Sequence, residues 1–440
     1  MTASSSLDRF ASLLATPLYV AQRRKEQWLT AAALARLRSQ RLRALLLKAR
    51  AASYYRRILP DIPADGPGER LLADIPLLDK RVIVDEGLDA FLTSGRDGLF
   101  DVFTSGSTGH PGKFLRAPLE ETEYSARVYR AYTAYGCTVR DRIFNVGAAT
   151  AKKRHGAANA LRNLGVLPKI MNVFVGAPVE ESVRALREFE PGLITGYSVG
   201  LENIAEYLIR RGIEVKPPRV VVCGAMDVTD HCRDIVQQAF KAPAMNAYVS
   251  NEFGVIGWEC PEQRGWLHIN DDVILLEIVD ANGQQVPDGS TGEVVLTSLT
   301  LMRMPLIRYR TGDTAARIPE SCPCGRGLGL MTRIQGRTAH TIVAHDGRLL
   351  TTPTIAAIFT AAQAYQWVRR FQVREQENNV LLVLVEPHHE ATGKQTRDLL
   401  AEMSKVFGPG YTVQLELRDE IPLAPSGKYQ FLVPLSRSAA

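Results

Sequence analysis

Between about residues 100 and 300, short runs of β-branched and apolar residues alternate with segments of helical periodicity. Gly192-Leu-Ile-Thr-Gly196 precedes a helical pattern over 201–211, 219–223 reads as a buried strand, and 230–240 is helical again. Such alternation is satisfied by a parallel sheet with helices on its faces, since parallel neighbours need a crossover that a helix supplies. From about 270 to 318 the texture changes to short strands and turns, as in 273–280 (VILLEIVD) and 292–299 (GEVVLTSL). That pattern predicts an antiparallel sheet or distorted barrel. Beyond Gly336-Arg337 a separate small unit follows, with strands near 371–374, 380–385 and 412–417 and a helix over 393–407. The expected class is therefore α/β. A large N-terminal domain (1–335) combines parallel βα layers with the distorted antiparallel region, a hinge covers 336–341, and a small mobile α+β domain covers 342–440.

A chain of 440 residues exceeds one ordinary core, which agrees with this division. The tightest apolar run, 380–385, is strand-sized and too short to cross a bilayer. The first twenty residues lack a charged start, an apolar stretch and a small-residue cleavage site, so the cytoplasm is the expected compartment. Six cysteines in a chain this long do not make a disulfide framework. Residues 1–60 carry twelve Lys/Arg against only Asp8 and Glu26. A nucleic-acid arm would need aromatic–basic interleaving or a groove-reading helix, and neither is present, so no nucleic acid and no membrane are expected as partners. Thr30 can instead cap a helix with Leu42, Leu45, Leu46 and Ala49 inward and the arginines on solvated faces.

The densest chemical signal is 104–113, Thr-Ser-Gly-Ser-Thr-Gly-His-Pro-Gly-Lys. Gly106 and Gly109 let backbone amides approach an anion, and Thr104, Ser105, Ser107 and Thr108 offer hydroxyl donors to phosphate oxygens. The Gly-Lys-Ser/Thr ending of a Walker loop is absent. A second constellation is metal-like. Cys322-Pro-Cys324 is a tight Cys-x-Cys turn, with Cys260 and His268 upstream. Three thiolates and one imidazole would form a closed tetrahedral set of the kind zinc prefers for structure, the alternative being buried free thiols.

With these motifs in order, the chain resembles the adenylate-forming superfamily (acyl-CoA synthetases, luciferases, adenylation domains), and most closely its phenylacetate-CoA ligase branch. The resemblance runs through Ala52-Ser-Tyr-Tyr-Arg56, 75–80, the 104–113 loop with Lys113, Cys223-Gly224-Ala225-Met226, Asn246-Ala247-Tyr248 through Asn251-Glu252, Tyr309 to Asp313, Arg333 with Gly336-Arg337, and Pro425-Ser-Gly-Lys428. It implies an enzyme using ATP and Mg2+ to turn a small, aromatic carboxylic acid into an acyl-adenylate, which then passes to CoA. Lys428 would lie as a point charge between carboxylate and α-phosphate, offsetting the repulsion of two anions. Glu252 would help hold magnesium. Tyr248 would stack on adenine, Asp313 would accept from ribose hydroxyls, and Arg337 would reach ribose or phosphate on closure. Gly224, Ala225 and Met226 would form the adenine turn, with Asn246, Ala247, Asn251 and Arg333 nearby. The acid is expected around Gly147, Ala148, Tyr197 and Ser198. Some members of this branch carry a metal at positions matching Cys260, His268, Cys322 and Cys324. Ala339 and His340 stand where acidic hinge residues are usual, and 343–353 lacks the string usual in CoA-using relatives. The acceptor therefore stays open between CoA and a carrier-protein thiol or amine, as does a homodimer.

Overall fold

A computed structural model describes residues 3–62, 72–103, 113–147, 167–224, 228–337, 342–343, 349–350, 355, 358–359, 361–422 and 429–435. Four helices open the chain: α1 (Ala3–Glu26), α2 (Ala31–Ala49), α3 (Ser53–Ile58) and α4 (Lys80–Glu86). Thr30 caps α2, its side chain accepting from the Ala33 N–H at 3.3 Å, and Leu42, Leu45, Leu46 and Ala49 face inward. None of the α2 arginines is buried, as expected, but a basic residue of the preceding helix is. Arg23 on α1 is 2% exposed, its guanidinium 3.0 Å from Asp272 and 3.2 Å from Glu123. Local composition showed an excess of positive charge, but the acidic partners lie far along the chain.

The hairpin of β1 (Phe100–Phe103) and β2 (Lys113–Arg116) flanks 104–112 and leads into α5 (Pro118–Ala134). Then come β3 (Ile143–Gly147), β4 (Ile170–Phe174), α6 (Val179–Phe189), β5 (Leu193–Tyr197), α7 (Ser198–Arg211), β6 (Val220–Gly224), α8 (Asp230–Phe240) and β7 (Ala244–Ser250). These strands pair in parallel in the order β4-β3-β5-β6-β7. Apolar residues of α6, α7 and α8 pack on one face of this sheet. Pairing turns antiparallel at β8 (Gly254–Glu259), earlier than the change of texture near 270 suggests. Every residue of β8 is buried, so its pattern resembles a parallel core strand and carries no sign of direction.

The same sheet continues through β9 (Trp266–Ile269), β10 (Ile274–Val279), β11 (Thr291–Ser298), β12 (Tyr309–Ile318), β13 (Leu330–Thr332) and β14 (Gly336–Arg337). It is one twelve-stranded sheet in the order β10-β11-β12-β13-β9-β8-β7-β6-β5-β3-β4, with β14 on β12. After the short pair β15 (Ile342–Val343) and β16 (Leu349–Leu350), a second sheet forms from β17 (Val368–Gln376), β18 (Val380–Pro387), β19 (Thr412–Leu417) and β20 (Leu432–Val433), in the order β19-β18-β17-β20. Helix α9 (Gly393–Phe407) buries Leu399, Met403 and Phe407 in its core. The two parts touch where Arg369 meets Glu206 of α7 at 2.9 Å and where Leu384, Ile421 and Tyr429 join the α7–α8 core.

Candidate active site

The carboxyl ends of the parallel strands bring several expected residues into line. Register pairs Tyr197 with Gly224 and Gly224 with Ala247, while Gly147 ends β3 on the same edge. In open α/β sheets this edge is where ligands bind. Glycine is required within the row. A Cβ on Gly224 would lie 3.0 Å from the Ala247 carbonyl, and Gly196, at φ +156°, would drive one to 2.2 Å from the Val146 carbonyl. Strand β5 passes into α7 without a loop, so Ser198 is the first residue of a helix whose positive end meets the same edge. Burial raises the Tyr197 phenol above its ordinary pKa.

Tyr248 and Glu252 sit where the sheet changes direction. The Tyr248 ring is 8% exposed within the core, and its hydroxyl donates to Asp313 Oδ2 at 2.7 Å. That bond joins the parallel half to β12. Asp313 is also the strand partner of Arg337, which sets the 336–337 backbone beside the same residue. The turn between β7 and β8 carries Glu252, with Tyr309 Oη 3.4 Å from its Oε1. The Asn251 and Glu252 carbonyls accept from the Arg116 guanidinium, an interaction no local sequence signal announced. Asn246 donates its backbone N–H to Glu259 at 2.8 Å. Lys113 pairs with Asp101 across the β1–β2 hairpin at 3.1 Å. Arg333 does not point into this row; it pairs with Asp230 at the start of α8 at 2.8 Å. Thr104, Ser105, Gly106, Ser107, Thr108, Gly109, Ala148, Ala225, Met226 and Lys428 lie outside the described residues, as do Ala339 and His340.

Cys260, His268, Cys322 and Cys324 converge as the sequence suggests. Each offers one ligand atom, all within 4.8 Å of one another. Cys260 opens the turn after β8, His268 lies on β9, and the two other cysteines sit in the turn after β12. Burial pushes the His268 imidazole down to about 4 and the Cys322 thiol up to about 12. Burial would raise the Cys324 thiol too, but the Arg326 backbone N–H and guanidinium hold it below the usual value. A neutral imidazole beside soft sulfurs is a donor set that fits zinc.

Comparison with known proteins places this arrangement. Residues 342–434 match the CapK C-terminal domain family. Phenylacetate-coenzyme A ligase of Thermus thermophilus is 29% identical over 359 residues, 78% of this chain and 79% of that one. Protein CapK of Staphylococcus aureus is 24% identical over 261 residues, 59% of this chain and 56% of that one. Among solved structures, 2-hydroxyisobutyryl-CoA ligase in the postadenylation state in complex with R3-HIB-AMP superposes with TM-score 0.77 at 19% identity, over 94% of this chain and 92% of that one. The fold is that of adenylate-forming ligases. Within that class, the chain is similar in sequence to proteins named phenylacetate-coenzyme A ligase.

Proposed function

We propose that the protein is an AMP-forming acid–thiol ligase. It joins a small, aromatic carboxylic acid to AMP with release of pyrophosphate, then passes the acyl group to CoA. The observation that carries this reading is the Tyr248–Asp313 bond beside Glu252, at the carboxyl edge lined by Gly147, Tyr197 and Gly224. It is supported by relatives that are themselves named CoA ligases.

In the first step a carboxylate oxygen attacks the α-phosphorus, and the bond to the β-phosphate breaks. Lys428 offsets the repulsion of the two anions, and the 104–109 hydroxyls and amides bind phosphate. Asp313, held by Tyr248, accepts from the ribose, and the glycine row leaves room for the acid. Glu252, a hard oxygen donor at a turn, fits a magnesium ion, which would neutralise phosphate charge. In the second step a thiol sulfur attacks the adenylate carbonyl and AMP leaves. The Cys260–His268–Cys322–Cys324 set would hold zinc with no position left for substrate, and so acts in structure.

The test is pyrophosphate release with ATP across aryl and short-chain acids, followed by mass spectrometry of products with CoA. Acid-dependent release and a CoA thioester are expected. Background release from every acid would overturn adenylation. Ala339 and His340 at the hinge favour a second reading in which a carrier-protein thiol or amine is the acceptor; an adenylate that persists with CoA until such a nucleophile is added would establish it.

A further inference from the structure

Three consecutive carbonyls of the β7–β8 turn are held by guanidinium groups from one neighbouring segment. Arg116 Nη2 donates to the Asn251 carbonyl and, at 3.0 Å, to that of Glu252, while Arg127 Nη1 donates to the Phe253 carbonyl at 2.6 Å. The Arg116 side chain is only 7% exposed, and its other nitrogen is fixed by Glu121 at 2.8 Å. Arg116 is also the last residue of β2, the strand that leaves the 104–112 segment.

A fork of this kind needs a planar, multiply donating group, which lysine does not supply. With the turn carbonyls all drawn to one side, the direction in which Glu252 leaves the backbone is set by the clasp. We propose that Arg116 is a positioning residue: it locks the turn bearing Glu252 to the strand leaving the phosphate-binding segment, and so fixes the separation of two parts that must engage one magnesium nucleotide. The inference rests on the role proposed above for Glu252.

The test compares Arg116→Lys, Arg116→Gln, Glu121→Gln and Glu252→Gln. Calorimetric Mg-ATP affinity is measured without acid, and KM for Mg-ATP and for acid in turnover. Both Arg116 variants are expected to weaken Mg-ATP binding by roughly tenfold or more, the scale of a lost hydrogen bond from a charged donor. The KM for acid should stay near that of the parent, while Arg116→Gln, which leaves buried acceptors unpaired, should lower the thermal midpoint more than Arg116→Lys does. Glu121→Gln should show a smaller shift in the same direction, and it carries the test if an Arg116 variant fails to fold. In the Glu252→Gln background, Arg116→Gln should add little, because both act through one turn. Full additivity, or a uniform loss in every parameter, KM for acid included, overturns the inference. If Glu252→Gln alone leaves Mg-ATP binding unchanged, the role of Glu252 itself fails, a result distinct from failure of the clasp.

Discussion

At the pair of Arg130 and Asp272, two opposite charges meet at 2.8 Å with no exposure of either side chain. Burial alone would raise the Asp272 pKa, but the Arg130 and Arg23 guanidinium groups outweigh it and hold the carboxyl well below the usual carboxylate range. Removing one partner leaves an uncompensated buried charge, so Asp272→Asn is expected to cost about 3–5 kcal/mol of stability in denaturant titrations. A depressed folded pKa contributes stability above the unfolded value near 4, which is lost as pH falls through the folded one. Acidification below about pH 4 should therefore lower the parent's urea midpoint, and the variant's slope there should be shallower. A catalytic expectation belongs to this scale too. Lys428→Ala should lower acid-dependent pyrophosphate release by about a hundredfold or more while ATP binding stays near the parent's, since its charge acts mainly in the transition state. Parent-like rates would remove Lys428 from the mechanism. What sequence reasoning missed at this scale shares one cause. Asp272 lies 249 positions from Arg23 and 142 from Arg130, and the Asn251 carbonyl lies 135 from Arg116, so these pairings leave no local trace. Asp271-Asp272, two acids directly before a wholly buried strand, was the available hint.

Elements were more legible than residues. Helix α9 runs over the expected 393–407, and α8 over 230–240, because both have strong periodicity and α9 has a Thr392–Gln395 capping box. Strand β19 matches the expected 412–417, β18 runs two residues beyond the expected 380–385, and β17 extends on both sides of the four residues expected, since the flanking Arg369, Arg370, Glu375 and Gln376 mask the pattern. The Cys-x-Cys turn was readable from spacing, and its geometry gives a further expectation. Protein purified without added metal should contain about one zinc per chain. Chelation should lower the thermal midpoint more than it changes the rate of adenylation, since the four donors leave no open position. Metal-free protein with an unchanged midpoint would show these side chains to be ordinary core thiols. The turn also carries load beyond the cluster. Arg326 stacks over Trp28 at 4.7 Å, and the Gly327 N–H donates to the Gln27 carbonyl at 2.9 Å, so loss of metal should loosen the connection between α1 and α2 as well.

In the whole molecule, one sheet runs from β4 to β10, and its two halves are joined through three residues, β13, lying between β9 and β12. The smaller sheet leans on α7 through Arg369, Glu206 and the Tyr429 side, close in sequence to Lys428. Chain order and spatial order therefore disagree, with a consequence for synthesis on the ribosome. Arg23 emerges first, yet its counter-charge Asp272 follows 249 residues later, and β13 later still. At ordinary elongation rates that interval is on the order of tens of seconds. During it, the nascent helices hold basic groups that cannot yet be buried, and the sheet lacks the strand that unites it. A chain released at about residue 260 should be degraded rapidly by added protease, whereas one ending near 335 should resist it. Equal resistance would mean that the N-terminal helices find another resting place while they wait.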